Sequence, residues 1–207
     1  PAVSPSVGLA YDTATKYVWV AGGPSGDAAV YDTRTGETVN VYTLGSGFVN
    51  DAIVAGNAVY FTNSFVPELY RIDSDGSDGV EVIPLSGPAA QFAGLFNTNG
   101  IEVAPDGSVF CTLTNNSRRT EADAANPLAP NPDGHIIRWK DSDEHTGTSF
   151  VWDIFIIAED THGSEDTFSD PDGIWADPDG RLFIETDGGQ KDERNNQLLV
   201  GDIKTGE

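Results

Sequence analysis

This chain of 207 residues has few or none of several residue types and sequence features on which other protein classes depend. Its single cysteine, Cys111, excludes an internal disulfide, and we expect that thiol to be buried and unreactive. No apolar run approaches the roughly 18 residues of a membrane-spanning helix, so no membrane span is expected. Methionine is absent even at position 1, from which we expect a processed product or a piece of a longer chain.

Basic residues are also scarce, at 11 against 33 acidic ones, and the net charge is −22. Such a charge would repel a phosphate backbone, so nucleic acid is not an expected partner. Disorder is disfavoured because four Trp, six Tyr and ten Phe are too many for a solvated polyanion. Two compatible explanations of the acidity remain, which are a surface adapted to high salt and carboxylates clustered for hard cations such as Ca²⁺.

The most informative feature present is an internal repeat. Four segments share a small polar pair, an alternating apolar run, a short turn and a second apolar run, as two adjoining half-buried strands would. They read VGLAYDTATKYVWVAGG, NDAIVAGNAVYFTNS, NGIEVAPDGSVFCTLT and DGIWADPDGRLFIETD. In the last two, Asp106-Gly107 and Asp179-Gly180 are expected to supply the positive φ of a tight hairpin.

The repeat predicts an all-β fold with few helices, and specifically a β-propeller, whose blades take about 40–45 residues each. The third repeat is lengthened by a predicted loop insertion at about 117–133. We expect one propeller domain or propeller fragment over 1–207, with about four blades, forming part of a six-bladed ring. A missing segment or a partner chain would complete that ring. A β-sandwich would not explain why the same sequence pattern occurs four times.

The polar pairs supply the candidate site residues. Asn50, Asn99 and Asp172 occupy the same place in their repeats, so a propeller would gather them around one axis. Asn and Asp oxygens are ligands that Ca²⁺, Mg²⁺ or Mn²⁺ prefer. The alternative is that each pair only caps a strand or forms an Asx turn.

Other candidate residues lie in the loops. Arg118 and Arg119 could clamp an anionic substrate, or could be simply solvated. His135 sits in an apolar strand, and we expect a structural role for it. A second Ca²⁺ site or a solvated acidic loop could be formed by Asp160, Glu165, Asp166 and Asp170.

Residues 6–115 resemble the SMP-30/gluconolactonase family through Asn50-Asp51, Asn99-Gly100 and the Asp172-Gly173 pair beyond them. That family consists of six-bladed propellers with one divalent metal in the channel. The resemblance implies that Asn50, Asn99 and Asp172 are metal ligands. Val7 stands where the family has a glutamate ligand.

Residues 101–207 resemble PhoX-type alkaline phosphatases, through the strings CTLTNNSRRT, DAANPLAPNPDGHIIRW, WDIFIIAED and FSDPDGIWADPDGRLFIETDGG. Those enzymes are secreted or periplasmic propellers that use Ca²⁺ and iron to hydrolyse phosphate monoesters. The resemblance therefore implies a secreted or periplasmic location and a small-molecule substrate.

The predicted function is metal-dependent hydrolysis, with a divalent cation, Ca²⁺ above all, as cofactor and iron implied by the PhoX resemblance. Asp172 is the expected ligand and proton carrier, because it is the one carboxylate among the three equivalent positions. Phosphate monoesters are the first substrate class. Alternatives are a lactone or similar ester, and a non-catalytic propeller used for binding or assembly.

Overall fold

The computed structural model of the chain describes residues 3–77, 79–86, 98–141, 149–163, 165, 167–189 and 195–207. Over these residues the backbone forms fifteen strands and one short 3-10 helix, Ala158–Thr161. The predicted all-β fold with few helices is confirmed. No helix in the described part of the chain is long and apolar enough to cross a membrane.

The strands form four antiparallel sheets in which neighbours along the chain are neighbours in the sheet, the arrangement of propeller blades. We number these blades 1 to 4 in chain order. The chain divides into two compact units, Pro1–Ser86 and Gly87–Glu207, with two blades in each.

The first unit holds blades 1 and 2. Blade 1 consists of β1 (Gly8–Asp12), β2 (Tyr17–Ala21), β3 (Asp27–Asp32) and β4 (Thr38–Thr43). Blade 2 consists of β5 (Val49–Ala55), β6 (Ala58–Asn63), β7 (Glu68–Asp73) and β8 (Glu81–Pro84).

The second unit holds blades 3 and 4. Blade 3 consists of β9 (Thr98–Val103), β10 (Val109–Leu113), β11 (His135–Asp141) and β12 (Phe150–Ile157). Blade 4 consists, over the described residues, of β13 (Pro171–Ala176), β14 (Arg181–Thr186) and β15 (Leu198–Asp202). The segment predicted as an insertion lies between β10 and β11.

In each unit the two blades pack face to face around an apolar core, and their first strands lie side by side. In the first unit, the buried Trp19 stacks on Tyr42 at 5.8 Å between centroids and meets the edge of Phe61 at 6.3 Å. In the second, the buried Phe110 of blade 3 shares one apolar cluster with Leu182 of blade 4. This packing fixes the first strands, which carry the polar pairs.

Candidate functional site

The three predicted site residues share one local feature, a register shift at the start of a blade's first strand. The pairing of first and second strands is irregular in blades 2, 3 and 4. The irregular stretches contain Asn50 in β5, Asn99 in β9 and Asp172 in β13. Blade 1 pairs regularly, with Gly8 opposite Ala21. Because a bulge re-aims side chains and is common beside active sites, these positions differ from ordinary strand positions.

In the second unit, Asn99 and Asp172 contact each other although 73 residues separate them. The Asn99 side-chain amide Nδ2 donates to a carboxylate oxygen of Asp172 and, at 2.9 Å, to Thr114 Oγ1. Both side chains are only half-buried, so solvent and small molecules have access to the pair.

Asn50 lies in the first unit and has a matching environment. Its Nδ2 donates to Ser64 Oγ at 2.8 Å, and Ser64 occupies the place in blade 2 that Thr114 occupies in blade 3. In both blades a hydroxyl therefore binds the asparagine amide, and because a hydroxyl can donate as well as accept, it can bind that amide in either orientation. Sequence reasoning missed these hydroxyls, although a comparison of the residues that follow the second strands of the repeats would have found them.

Hydrogen bonds between the Thr112 side chain and backbone atoms hold the Asn99–Asp172 pair in place. Thr112, in β10, accepts a hydrogen bond from the Gly100 amide at 2.8 Å and donates one to the Asp172 carbonyl oxygen at 2.7 Å. A Cβ at Gly100 would lie only 2.4 Å from that same carbonyl oxygen. The close approach of β9 and β13 thus requires glycine at position 100.

A second carboxylate, Asp170, lies two residues before Asp172 and has an unusual conformation, with φ of 52°. Its Oδ1 accepts a hydrogen bond from Asn115 at 3.3 Å, and its backbone is bonded to both Asp133 and Asp187. Burial raises the pKa of Asp170, and the nearby charges of Asp187 and Asp133 add to that effect, while hydrogen bonds oppose it. Sequence reasoning had grouped Asp170 with the loop acids and missed Asp133 and Asp187.

The donor chemistry of this region suits a hard cation, since it consists of carboxylate, amide and hydroxyl oxygens. For Asn99 to share a cation with Asp172, its amide would have to rotate and present Oδ1 instead of Nδ2. Within the described ranges, no group of three or more His, Cys, Asp or Glu side chains could hold a metal ion. Asn99 and Asp172 therefore fit as two oxygen donors for Ca²⁺, without forming a carboxylate cage.

The two arginines predicted to bind substrate have different surroundings. Arg118 is exposed. Arg119 is buried, donates from Nε to the Glu121 carbonyl oxygen at 2.8 Å and forms an ion pair with Asp123. Arg119 thus stabilises its own loop. Of the predicted second Ca²⁺ site, Asp166 lies outside the described residues.

The model of the alkaline phosphatase PhoX family matches residues 85–207, which is more than half of the chain. This chain belongs to the PhoX family. The match contains both members of the Asn99–Asp172 pair. None of the curated proteins matches the chain. The resemblance of residues 6–115 to the SMP-30/gluconolactonase family stays a prediction.

Solved structures resembling this PhoX-family chain support the propeller fold. A streptogramin B lyase is 16% identical with a TM-score of 0.56, over 98% of this chain and 56% of the lyase. An inactive virginiamycin B lyase from Staphylococcus aureus is 17% identical with a TM-score of 0.53, over 97% and 56%. The WD40 repeats of RRP9 are 11% identical with a TM-score of 0.58, over 97% and 47%. The chain thus spans about half the length of these structures, and at such identities the likeness concerns the fold alone.

Proposed function

We propose that this chain serves the metal-dependent hydrolysis of phosphate monoesters. The observation that carries the proposal is the contact between Asn99 and Asp172, at adjoining bulged strands within the segment that matches the PhoX model. A secreted or periplasmic location belongs to the same proposal, on the strength of the family.

In the proposed site each residue has a separate task. Asn99 and Asp172 would hold a divalent cation, with Ca²⁺ as the first candidate, through their side-chain oxygens. When bound, that cation would polarise a phosphate oxygen and orient a water molecule for attack. The Asp172 carboxylate can also accept a proton. The exposed Arg118 is free to approach an anionic group, whereas Arg119 is engaged with Asp123.

The test compares Asp172→Asn with the wild type on a chromogenic phosphate monoester, in the presence of Ca²⁺ and of a chelator. Loss of the carboxylate removes a charged ligand and the proton acceptor, and acid–base assistance alone contributes about 10²–10⁴-fold to a rate. We expect activity to fall at least that much in Asp172→Asn, and less in Asn50→Ala, which removes only a neutral side chain. Chelator should inactivate the wild type.

Asp179→Asn is the matched control, because Asp179 lies in the same blade with its side chain 81% exposed in the turn before β14. Its activity should equal that of the wild type. Equal activity of Asp172→Asn and the wild type would contradict the proposal.

A lactone or similar ester is the second candidate substrate. It rests on the resemblance of residues 6–115 to the SMP-30/gluconolactonase family, and on the hydroxyl bonded to Asn50 in blade 2, which matches the hydroxyl bonded to Asn99 in blade 3. Assaying a sugar lactone beside the phosphate monoester, with the same variants, separates the two. If the Ca²⁺-loaded protein hydrolyses neither, the non-catalytic propeller becomes the better account.

A further inference from the structure

We infer that Thr112 is a positioning residue, whose hydroxyl sets the distance between Asn99 and Asp172 and thereby the affinity of the cation site. This inference rests on the proposed function. Thr112 lies in β10 and is fully buried, so it acts through the neighbouring strands and does not itself touch a ligand.

The Thr112 hydroxyl connects two first strands that belong to different blades. It accepts from the Gly100 amide, next to Asn99 in β9, and it donates to the carbonyl oxygen of Asp172 in β13. A hydroxyl can do both at once because it carries one donor and two acceptor lone pairs. Both candidate ligands are thus tied to one atom, Thr112 Oγ1, through bonds of 2.8 and 2.7 Å.

These bonds matter because both strands are irregular at this point. The ladder between β9 and β10 is interrupted there, and so is the ladder between β13 and β14. Ordinary sheet pairing therefore does not fix the Asn99–Asp172 separation, and the threonine hydroxyl supplies a bond where the ladder is interrupted. Gly100 completes the arrangement by leaving room for the Asp172 carbonyl oxygen.

The four blades differ at the position of Thr112. Blade 2 has Thr62, which accepts from the Asp51 amide at 3.0 Å, whereas blade 1 has Ala21 and blade 4 has Glu185. A hydroxyl at this position thus occurs in the blades of Asn50 and Asn99, the two asparagines among the predicted site residues. The fold itself does not require it, because blades 1 and 4 form without one.

The test uses Thr112→Val, which keeps the shape but removes the hydroxyl, and Thr112→Ser, which keeps the hydroxyl. Removing a residue that orients a metal ligand typically costs about 10–100-fold in metal affinity. We expect Thr112→Val to weaken Ca²⁺ binding, measured by calorimetric titration of the full chain, by that factor. Thr112→Ser should restore it to near the wild-type value.

Tyr70→Phe controls for lost stability, since it also removes a buried hydroxyl, one bonded to Asn63 in the first unit. It should lower the melting temperature without changing Ca²⁺ affinity. Wild-type affinity in Thr112→Val, or equal weakening in Tyr70→Phe, would overturn the inference.

Hydrogen exchange of the Gly100 amide in Ca²⁺-free protein separates this inference from the proposed function. Protection should be lost in Thr112→Val and kept in Thr112→Ser. If the wild type binds no Ca²⁺, the proposed function fails, and with it the effect on affinity. Unchanged protection of Gly100 in Thr112→Val would overturn the positioning role in either case.

Discussion

At the scale of single residues, His135 shows how burial decides charge. The ring is completely buried, with Nδ1 3.1 Å from Asn131 Nδ2 and Nε2 2.8 Å from the Ala125 carbonyl oxygen. Because Asn131 Nδ2 can only donate, His135 Nδ1 accepts and Nε2 carries the proton, so the ring is in its neutral form. Burial lowers the pKa of His135 to about 4. The hydrogen bond to Ala125 acts in the opposite direction and raises this pKa, whereas the positive charge of Arg119 lowers it further. The structural role expected from its apolar strand agrees with this burial.

This shift predicts acid sensitivity of the fold. Since the unfolded chain titrates near 6.5 and the folded protein near 4, the unfolded state binds the additional proton between these values. The contribution of His135 to stability should therefore be fully present above pH 6.5 and should fall as the pH drops towards 4, by about 3 kcal/mol in all. Urea unfolding at several pH values from 7 to 5 measures this loss of stability. The stability of His135→Gln should depend less on pH than that of the wild type. Parallel curves for the two proteins would contradict the assignment.

At the scale of the elements, close approach of first strands is a recurring requirement. A Cβ at Gly8 in β1 would lie 2.4 Å from the Asn50 carbonyl oxygen, just as one at Gly100 would lie 2.4 Å from that of Asp172. Gly100→Ala should therefore destabilise the fold by about 1–3 kcal/mol, through overpacking against backbone. Gly79→Ala is the control, since nothing lies within 4 Å of a Cβ there, and its effect should stay within about 0.5 kcal/mol. Chemical denaturation compares them, and equal stability of both variants would contradict the role of close approach.

The elements also show how far sequence reasoning extends. Alternation and turn composition predicted the strands, and Gly107 and Gly180 have the positive φ expected of their turns, 81° and 86°. The repeat also pointed to Asn99 and Asp172 as equivalent positions, and the two contact each other. The bulges and the hydrogen bonds of the Thr112 hydroxyl could not be predicted, because both depend on which atoms of a neighbouring strand lie opposite. In sequence, Thr112 is one more β-branched strand residue.

At the scale of the whole molecule, the dominant feature is the large net negative charge. Even one-to-one pairing of every lysine and arginine leaves 22 carboxylates without a basic partner. Several of the described arginines form ion pairs that solvent can reach, such as Arg34 with Asp32 and Arg138 with Asp153. Exposed pairs contribute little to stability, so repulsion among the remaining carboxylates opposes folding.

Two kinds of cation should therefore stabilise the protein for different reasons. Sodium chloride screens repulsion, because the Debye length shortens from about 30 Å at 0.01 M to about 3 Å at 1 M, and the melting temperature should rise smoothly with its concentration. Ca²⁺ bound by Asp172 stabilises by mass action instead, by about 2.7 kcal/mol at a hundredfold excess over its dissociation constant. At constant ionic strength, Ca²⁺ should thus raise the melting temperature of the wild type and of Asp179→Asn. It should raise the melting temperature of Asp172→Asn much less. Sodium chloride should raise the melting temperature of all three proteins alike. If Asp172→Asn gains as much from Ca²⁺ as the wild type does, the acidity serves the surface alone and Asp172 holds no cation.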